Sequence, residues 1–324
     1  MPSEPAASET PSSTFTVYAA LIGNILVAAT KAVAALLTGS SGMVSEAIHS
    51  TVDSANEILL LHGLRRANQG PDREHPLGYG RELYFWSFIV ALLVFALGCG
   101  TSLYEGWLHL RTPEPIRNPL VNYVVLAFAA IFEGASWWIS FRQFSEARGE
   151  FGFYEAFRRS KDPPSFMVLF EDSAALLGIV VAALGNLAVQ LTREPRFDGA
   201  ASIVIGLILG ATAVLLARES KSLLIGEAAN PVLATSVLSI AASQAGVRAA
   251  NGLITVQLAP DQVVAALSLE FEDDLRAPQI EAIVSRIEAE VCRVHPQIVT
   301  LFVKPQTPET YLARRRNHLG LRCG

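Results

Sequence analysis

Six stretches of this chain are each long and apolar enough to form a helix that crosses a membrane. They cover residues 15–37, 44–64, 83–108, 119–141, 166–190 and 199–217. A helix rises 1.5 Å per residue, so about 20 apolar residues span the ~30 Å hydrocarbon core of a bilayer. Only 17% of the residues are charged, which is low for an ordinary soluble domain. We therefore predict an α-helical membrane protein with six transmembrane helices.

The pattern changes after Asn230-Pro231 to that of a small soluble domain. Helical spacing of apolar side chains occurs at 232–244 and 277–294, and strand-like runs occur at 252–258, 263–271 and 298–304. This αββαβ order predicts a C-terminal α+β domain in which helices cover one sheet. About 75 residues are near the lower limit for an independent core, so we expect the domain to form a homodimer.

These patterns divide the chain into five parts. We expect a disordered N-terminal tail at 1–14, a six-helix transmembrane domain at 15–217, a linker at 218–230, a cytosolic αββαβ dimerisation domain at 231–306 and a basic flexible tail at 307–324. The last part contains Arg314, Arg315 and Arg316, which could contact the anionic headgroups of the lipid bilayer.

Lysine and arginine are distributed unequally between the two sides of the predicted membrane domain. Four arginines lie between the second and third apolar stretches, and five basic residues lie between the fourth and fifth. The two loops on the opposite side hold two arginines each. The positive-inside rule therefore places the basic loops and both termini in the cytoplasm. We expect a multi-pass protein of a bacterial inner membrane.

Net charge and cysteine content narrow the functional classes. The formal net charge of −5 argues against a nucleic-acid partner, which would need a basic surface. The three cysteines, Cys99, Cys292 and Cys323, are far apart and form no CxxC pair. Neither a disulfide framework nor a thiolate zinc site is therefore indicated.

The second apolar stretch has one polar helical face, formed by Glu46, His49, Asp53, Asn56 and Glu57. A charged side chain at the centre of a membrane costs roughly 2.5–3.5 kcal/mol on insertion scales, so it is rarely found without a partner or an ion. His49 and Asp53 are one turn apart and could bind a single cation. Imidazole suits zinc, cobalt, nickel or iron, and a carboxylate offsets the charge. The alternative is a polar pair that stabilises helix packing.

The fifth apolar stretch carries a second acidic group, Glu171 and Asp172. Adjacent carboxylates in a dry site need a cation or a proton, so we interpret them as the other half of the same site. Asn186 could extend a hydrated path, although a lone asparagine also serves as a contact between helices. Glu133 is either a packing contact or a proton carrier. Lys31 is interpreted as structural, either reaching toward the membrane surface or pairing with an acidic neighbour.

Two sequence motifs resemble those of a known family. The run Gly39-Ser-Ser-Gly-Met-Val-Ser-Glu-Ala-Ile-His49-Ser-Thr-Val-Asp53 resembles the second helix of the cation diffusion facilitators, and Asp72-Arg-Glu-His75-Pro-Leu-Gly78-Tyr79-Gly80-Arg81-Glu-Leu resembles the loop that follows it. The likeness covers most of residues 15–306. It implies a homodimeric exporter of a divalent metal ion that uses protons as the counter-ion, with a metallochaperone-like cytosolic domain and no organic cofactor.

The resemblance also implies a set of metal ligands. The family's transport site uses a His or Asp with an Asp four residues later on the second helix, and the same pair on the fifth helix. His49, Asp53 and Asp172 match this pattern. The fourth position is Val168, which cannot bind a metal, so the four-ligand set of the family is incomplete in this chain.

Glu171, Glu46 or a water molecule could supply the ligand that is missing. One histidine with two or three carboxylates is compatible with zinc as the transported substrate, and it leaves manganese, iron and cobalt open. The runs Phe-Glu171-Asp172-Ser-Ala-Ala and Phe-Glu133-Gly-Ala-Ser are similar to those of the zinc transporter 9 branch of the family.

Two further metal sites of the family are incomplete by the same comparison. Some members bind a second metal in the loop after the second helix with an Asp and two His. Asp72 and His75 match those positions, but Tyr79 occupies the last one. In the final strand Lys304 would repel a cation, so we predict no metal in the cytosolic domain and assign it a role in dimerisation.

We expect the metal to enter between the second and fifth helices, displace protons, and leave on the far side as protons return, by alternating access. A charge pair between Arg81 and Glu227 could hold the membrane halves together, unless Arg81 is an ordinary interfacial arginine. Two other functional classes stay open. One is an intramembrane metal hydrolase, for which no HExxH motif is present. The other is a non-transporting membrane scaffold whose cytosolic domain recruits a partner.

Overall fold

The computed structural model describes residues 11–113, 119–148, 152–159 and 161–318. These residues form two compact units. The first unit consists of the described residues within Met1–Arg66 and Phe85–Ser220. The second unit consists of the described residues within Ala67–Tyr84 and Lys221–Gly324. The loop after the second helix therefore belongs to the same unit as the C-terminal domain.

Long helices make up the first unit, and three of them have one end in the residues of the second unit. In the described residues they are α1 (Pro11–Thr38), α2 (Ser41–Ala67), α3 (Glu82–Leu93), a π-helical turn (Val94–Cys99), α4 (Gly100–Arg111), α5 (Pro119–Ala147), the short α6 (Phe153–Arg159), α7 (Pro163–Thr192) and α8 (Arg196–Ile225). The π-helical turn joins α3 and α4 into one continuous helix of 30 residues.

Among the described residues, four helical spans are long and apolar enough to cross a membrane. These are Glu82–Arg111, Leu120–Glu146, Phe166–Thr192 and Arg196–Ile225. The described part of α1 includes a shorter apolar helix, Asn24–Thr38. The 27 residues of α2 include five charged ones, which make it more polar than the other spans. A multi-pass helical membrane domain is thus confirmed, while the prediction that α1 and α2 also span the bilayer stays a prediction.

Small residues bring α4 and α8 close together. A Cβ atom added at Gly106 would lie 2.7 Å from the carbonyl oxygen of Gly199, and one at Gly206 would lie 3.0 Å from Cγ of Leu103. Helices in membranes associate through such close approach, because lipid tails are as apolar as the side chains. The glycines therefore define the contact between these two helices.

An aspartate at the start of α8 caps the N-terminus of α2. Asp198 is 2% exposed and accepts hydrogen bonds from Oγ of Ser40 at 2.6 Å and from the backbone N–H of Ser41 at 2.5 Å. The first N–H groups of a helix have no partner within the helix, and the positive end of the helix dipole favours a carboxylate. Gly39, with a φ of 67°, makes the turn between α1 and α2. This cap was not predicted from the sequence.

The second unit contains a three-stranded sheet covered by helices. Its elements are α9 (Pro231–Ala242), β1 (Val247–Ala259), β2 (Gln262–Phe271), α10 (Ala277–Val294), β3 (Ile298–Pro305) and α11 (Pro308–His318). The strand order is β1-β2-β3. β1 and β2 are antiparallel with Val256 opposite Val264, and β2 and β3 are parallel with Leu267 opposite Val303. The predicted small C-terminal domain of helices and one sheet is therefore present.

Its hydrophobic core lies between the sheet and the two helices α9 and α10. Ile283, Ile287 and Val291 recur every four residues along α10 and are buried, as expected for one apolar face of a helix. Buried side chains that face them come from α9 and the strands: Leu233, Val237, Ala241, Val263, Ala265, Leu267, Leu269, Ile298 and Leu301. The same unit includes the loop before α3, where a Cβ at Gly80 would lie 2.9 Å from Cβ of Ala259.

The structure differs from the predicted boundaries at both ends of the chain. Residues 307–324 were expected to be flexible, but Pro308–His318 form α11, and the phenol of Tyr311 packs against Gly252, where it leaves no space for a Cβ atom. Helix α1 begins at Pro11, inside the predicted tail, and α8 continues to Ile225, inside the predicted linker. The remaining residues of the two predicted tails, 1–10 and 319–324, lie outside the described residues.

Candidate functional site

A cavity of about 430 Å³ lies in the first unit between α1, α2, α5 and α7. Five acidic side chains line it: Asp53 and Glu57 from α2, Glu133 from α5, and Glu171 and Asp172 from α7. The other lining residues are Asn24, Ser50, Leu60, Leu61, Leu64, Phe132, Ser136, Pro164 and Val168. The acidic residues predicted on separate helices thus surround one space.

The histidine–aspartate pair predicted on α2 is present beside the cavity. Nδ1 of His49 lies 3.4 Å from Oδ1 of Asp53. The His49 side chain is 1% exposed, and within the described residues neither of its ring nitrogens nor Oδ1 of Asp53 has a hydrogen-bond partner. Buried polar atoms are normally satisfied. These three atoms are therefore suited to an additional polar partner, and a cation fits the chemistry of the two donors.

The two adjacent acids of α7 face different helices. Oε1 of Glu171 accepts a hydrogen bond of 3.1 Å from the amide of Asn56 on α2. Oδ2 of Asp172 accepts one of 2.8 Å from the hydroxyl of Ser136 on α5. Because neighbouring residues on a helix point about 100° apart, one carboxylate lies toward α2 and the other toward α5. Both line the cavity.

Lys31 of α1 is buried among acidic residues. Its Nζ donates hydrogen bonds to Oε2 of Glu46 at 3.1 Å and to Oγ of Ser50 at 2.7 Å, and it lies 3.6 Å from Oε1 of Glu133. The side chains of Lys31 and Glu46 are 0% exposed. Of the two interpretations of Lys31, pairing with acidic neighbours is therefore correct. Glu46 does not line the cavity; Gly178 of α7 leaves the space that its carboxylate occupies.

The predicted ligands do not form a compact metal site: Asp53, Glu171 and Asp172 line the cavity, whereas His49 and Glu46 are buried outside its lining. In the part of the chain that the structure describes, no group of three His, Cys, Asp or Glu side chains has the arrangement needed to hold one metal ion. Hydrogen bonds to Asn56 and Ser136 orient the two α7 carboxylates toward neighbouring helices. Val168, one turn before Asp172, is 36% exposed and lines the cavity at the position where a fourth ligand would lie.

In the loop between α2 and α3, the carboxylate of Asp72 organises the chain. It accepts hydrogen bonds from the backbone N–H groups of Glu74 at 2.9 Å and His75 at 2.6 Å, and from the hydroxyl of Tyr79 at 2.7 Å. The Tyr79 bond, followed by the backbone bonds, lowers the pKa of Asp72 below its usual range. Nδ1 of His75 lies 3.6 Å from Oδ1 of Asp72. Tyr79 thus supplies a hydrogen-bond donor at the position where a third metal ligand was considered.

The other predicted positions have ordinary structural surroundings. Glu227 accepts a hydrogen bond from the hydroxyl of Ser222, and Nη2 of Arg81 lies beside Gly226, 3.2 Å from where a Cβ atom would be. Their predicted ion pair stays a prediction. Lys304 is exposed at the end of β3. Asn186 is 1% exposed in α7, outside the residues that line the cavity.

Several residues that shape the cavity were not predicted as site residues. Ser136 and Asn56 hold the α7 carboxylates, and Nδ2 of Asn24 donates a 3.0 Å hydrogen bond to Oε2 of Glu57. Ser136 follows Glu133 by three residues, which places both on one face of α5. That spacing is a sequence signal that could have identified Ser136.

The family model for the cation efflux transmembrane domain matches residues 17–225 of this chain. The chain belongs to the cation diffusion facilitator family. This membership confirms the resemblance seen in the sequence and the prediction of an integral membrane protein. Because this is a family of transporters and not of enzymes, the prediction that the protein is not an enzyme is confirmed, and the alternative of an intramembrane hydrolase is wrong.

Relatives within the cation diffusion facilitator family come from animals, plants and bacteria. The Xenopus laevis mitochondrial proton-coupled zinc antiporter SLC30A9 is 33% identical over 245 residues, which is 75% of this chain and 44% of the relative. Metal tolerance protein C4 of Arabidopsis thaliana is 35% identical over 214 residues, 65% of this chain and 47% of the relative. The cation-efflux pump FieF of Cronobacter sakazakii is 26% identical over 291 residues, 86% of this chain and 91% of the relative.

Coverage differs among these relatives. The chain spans less than half the length of the SLC30A9 and metal tolerance proteins that it matches. It spans nearly the whole length of the bacterial pump, at lower identity. The SLC30A9-like similarity agrees with the branch indicated by the runs around Glu133 and Glu171.

Proposed function

We propose that this protein exports a divalent metal ion, with zinc as the first candidate, across its membrane in exchange for protons. The observation that carries the proposal is the cavity inside the membrane domain, which five carboxylates line. Such acidic residues within a bilayer are costly and mark ion pathways. The name of the SLC30A9 relatives, a proton-coupled zinc antiporter, supports both the metal and the counter-ion.

We assign the metal ligands to His49 and Asp53 of α2 and to Asp172 and Glu171 of α7. Glu171 takes the place of the ligand that Val168 cannot supply, since it lines the same cavity three residues further along the helix. For these side chains to meet on one ion, Glu171 and Asp172 must exchange their hydrogen bonds to Asn56 and Ser136 for the metal. Glu46 is left out of the ligand set because it pairs with Lys31.

Exchange with protons follows from the chemistry of the ligands. Imidazole and carboxylate groups bind a metal only when deprotonated, so protons and metal compete for one site. Alternating access then opens the cavity to one side of the membrane at a time, and protons that enter from the far side displace the ion. Glu133 lies at the edge of this site, where it either contacts α1 through Lys31 or carries a proton.

The identity of the metal is proposed from ligand chemistry and from the relatives. A site of one histidine and three carboxylates accepts zinc and also manganese, iron or cobalt, because carboxylates suit harder cations. Zinc is placed first because the SLC30A9 relatives are named for it. Manganese, iron and cobalt remain the alternatives within the same function.

We further propose a homodimer in a bacterial inner membrane with both termini in the cytoplasm. The distribution of lysine and arginine supports the orientation, and the match along 91% of a bacterial efflux pump supports the membrane. The small C-terminal domain is assigned to dimerisation. Asp72 and His75 are not assigned a metal, because hydrogen bonds within the loop already use both Asp72 oxygens.

Metal uptake into proteoliposomes with an imposed pH gradient tests the proposal. Zinc, manganese, iron and cobalt are compared for wild type, Asp53→Asn, Asp172→Asn and Glu171→Gln. We expect zinc transport that depends on the pH gradient and is abolished by Asp53→Asn and Asp172→Asn. Glu171→Gln is expected to weaken zinc binding, because it removes one of the three charged ligands.

Glu146→Gln is the matched control, since it neutralises an exposed acid on α5 that pairs with Arg142 and is not among the residues that line the cavity. Its transport rate is expected to equal that of wild type. A wild-type protein that moves none of the four metals, or acid variants that transport at the wild-type rate, would contradict the proposal and favour the membrane scaffold.

A further inference from the structure

We propose that Lys31 is a built-in cation that weakens the metal site by holding Glu133, so that a bound ion can be released. This inference rests on the proposed metal transport. It adds a positioning residue on α1, a helix that contributes no assigned ligand. Lys31 acts through Glu133 and does not itself contact the metal.

Lys31 has only a small set of polar neighbours among the described residues. Its Nζ contacts Glu46 at 3.1 Å, Ser50 at 2.7 Å and Glu133 at 3.6 Å. On its other side is a mainly apolar groove between α1 and α5, lined by Val27, Phe128 and Phe132 and by Thr30, whose hydroxyl donates to the carbonyl of Leu26 and does not contact Nζ of Lys31 in the described structure. The ammonium group is therefore committed to the two glutamates and the serine.

Glu133 connects Lys31 with the transport cavity. Its side chain is 14% exposed, whereas those of Lys31 and Glu46 are 0% exposed. It lines the cavity together with Asp53 and Asp172, two of the assigned ligands. One face of the Glu133 carboxylate thus meets a fixed positive charge, and the other meets the space through which the metal passes.

A fixed positive charge beside the cavity lowers the affinity for a dication in two ways. It repels the ion directly, and it competes for the Glu133 carboxylate that would otherwise add to the attraction. Both effects are strong inside a membrane domain, because the low dielectric weakens Coulomb interactions far less than water does. A transporter needs this balance, since an ion bound too tightly leaves slowly.

A purely structural role for Lys31 predicts a different behaviour. If Lys31 only neutralises the buried Glu46, removing both charges together should leave metal affinity unchanged, because the net charge beside the cavity stays the same. If Lys31 also restrains Glu133, the same double change should free Glu133 and tighten metal binding. The double variant Lys31→Met with Glu46→Gln therefore separates the two roles.

The experiment measures zinc binding by titration calorimetry and transport in proteoliposomes at one fixed pH gradient. For the double variant we expect the zinc Kd and the transport KM to fall by about tenfold or more, with a lower maximal rate. Adding Glu133→Gln to the double variant should return KM to the wild-type range or above. A merely structural residue would not produce this joint fall of KM and maximal rate, nor the reversal of the KM change by Glu133→Gln.

Two single variants complete the test. Lys31→Arg keeps the positive charge and should keep KM within about twofold of wild type. Glu46→Gln removes one of the two glutamates that Lys31 contacts, so Lys31 should hold Glu133 more strongly and KM should rise. An unchanged KM in the double variant would overturn the inference, and so would a lower KM in Glu46→Gln. If the double variant does not fold, the KM of Glu46→Gln alone tests the inference. Wild-type protein that transports no metal would instead overturn the proposed function.

Discussion

The carboxylate of Asp198, the third residue of α8, caps the N-terminus of α2 through Ser41. One Asp198 oxygen lies 2.5 Å from the backbone nitrogen and 2.9 Å from Oγ of Ser41. The contact links residues 157 positions apart in the sequence. It fixes the end of the helix that carries His49 and Asp53 to the beginning of α8, so the orientation of the α2 polar face depends on it.

Removal of this cap should destabilise the membrane domain. Asp198→Ala leaves the N–H of Ser41 and two buried hydroxyls without their acceptor, and loss of a helix cap costs about 1–2 kcal/mol. We expect a Tm several degrees below that of wild type in detergent, measured by tryptophan fluorescence. Asp198→Asn keeps one acceptor oxygen and should lie in between. Equal Tm values for all three proteins would contradict the capping role.

The loop between α2 and α3 should respond to acid through Asp72. Its pKa is lowered chiefly by the Tyr79 hydroxyl. A carboxyl group with a lowered pKa in the folded state contributes stability above its unfolded pKa of about 3.9, and this contribution is lost as the pH falls through the folded pKa. Tyr79→Phe removes the largest cause, so the Asp72 pKa should rise and the loop should open at a higher pH.

Hydrogen exchange of the peptide that covers residues 70–80, corrected for intrinsic rates, measures this opening. The backbone N–H groups of Glu74 and His75 should lose protection at a higher pH in Tyr79→Phe than in wild type. Tyr104→Phe, at an exposed position on α4, is the matched control and should leave the loop unchanged. Identical pH profiles for wild type and Tyr79→Phe would contradict the assigned cause.

Gly178 should be intolerant of even a methyl group. A Cβ atom there would overlap Oε1 of Glu46, which has no hydrogen-bond partner among the described residues and lies in a fully buried side chain. Gly178→Ala should therefore displace the Glu46 carboxylate and cost about 1–3 kcal/mol as overpacking. Gly134→Ala is the control, since a Cβ there would meet nothing within 4 Å.

Thermal unfolding of the two alanine variants distinguishes a crowded site from a general effect of helical glycine. Gly134→Ala should be neutral or stabilising by up to about 1 kcal/mol, because alanine is the better helix former. A similar loss of stability in both variants would mean that the space beside Glu46 is not what requires glycine at position 178.

Val168→Asp should restore the four-ligand pattern of the family. The new carboxylate would line the cavity one turn before Asp172. We expect the zinc Kd to fall about tenfold or more, and the maximal transport rate to fall with it, because tighter binding slows release. Val168→Asn adds a neutral group of similar size and should have a much smaller effect. A Kd that Val168→Asp leaves unchanged would place the metal elsewhere.

Periodicity predicted much of this architecture. The bounds of α10 agree with the sequence prediction because its apolar face repeats regularly, at Ile283, Ile287 and Val291. β1 begins at Val247, five residues before the predicted strand. The sequence prediction missed this segment because Arg-Ala-Ala-Asn, residues 248–251, has little β propensity. Pairing with β2 orders that segment, as in the contact of Val247 with Phe271. Such pairing between strands is not visible in a single segment.

The cavity was partly predictable for a similar reason. Four acidic residues were predicted as site residues because they lie in apolar stretches, and all of them line the cavity: Asp53, Glu133, Glu171 and Asp172. The partners that hold them depend on which helices are neighbours, and no sequence spacing supplies that information. Lys31 is the clearest case, since its position near a predicted helix end allowed an exposed side chain, while the structure surrounds it with acids from two other helices.

The π-helical turn at Val94–Cys99 has a geometric effect on the rest of its helix. Gly98 and Gly106 both contact α8, at Leu209 and Ile203. On an α-helix, each step of four residues overshoots a full turn by about 40°, so two such steps would turn Gly106 by ~80° away from the direction of Gly98. The wider turn, in which the N–H of Gly100 reaches the carbonyl of Phe95, takes up one extra residue and reduces this drift. The same helix can therefore present Gly98 and Gly106, about 12 Å apart along its axis, to one neighbour.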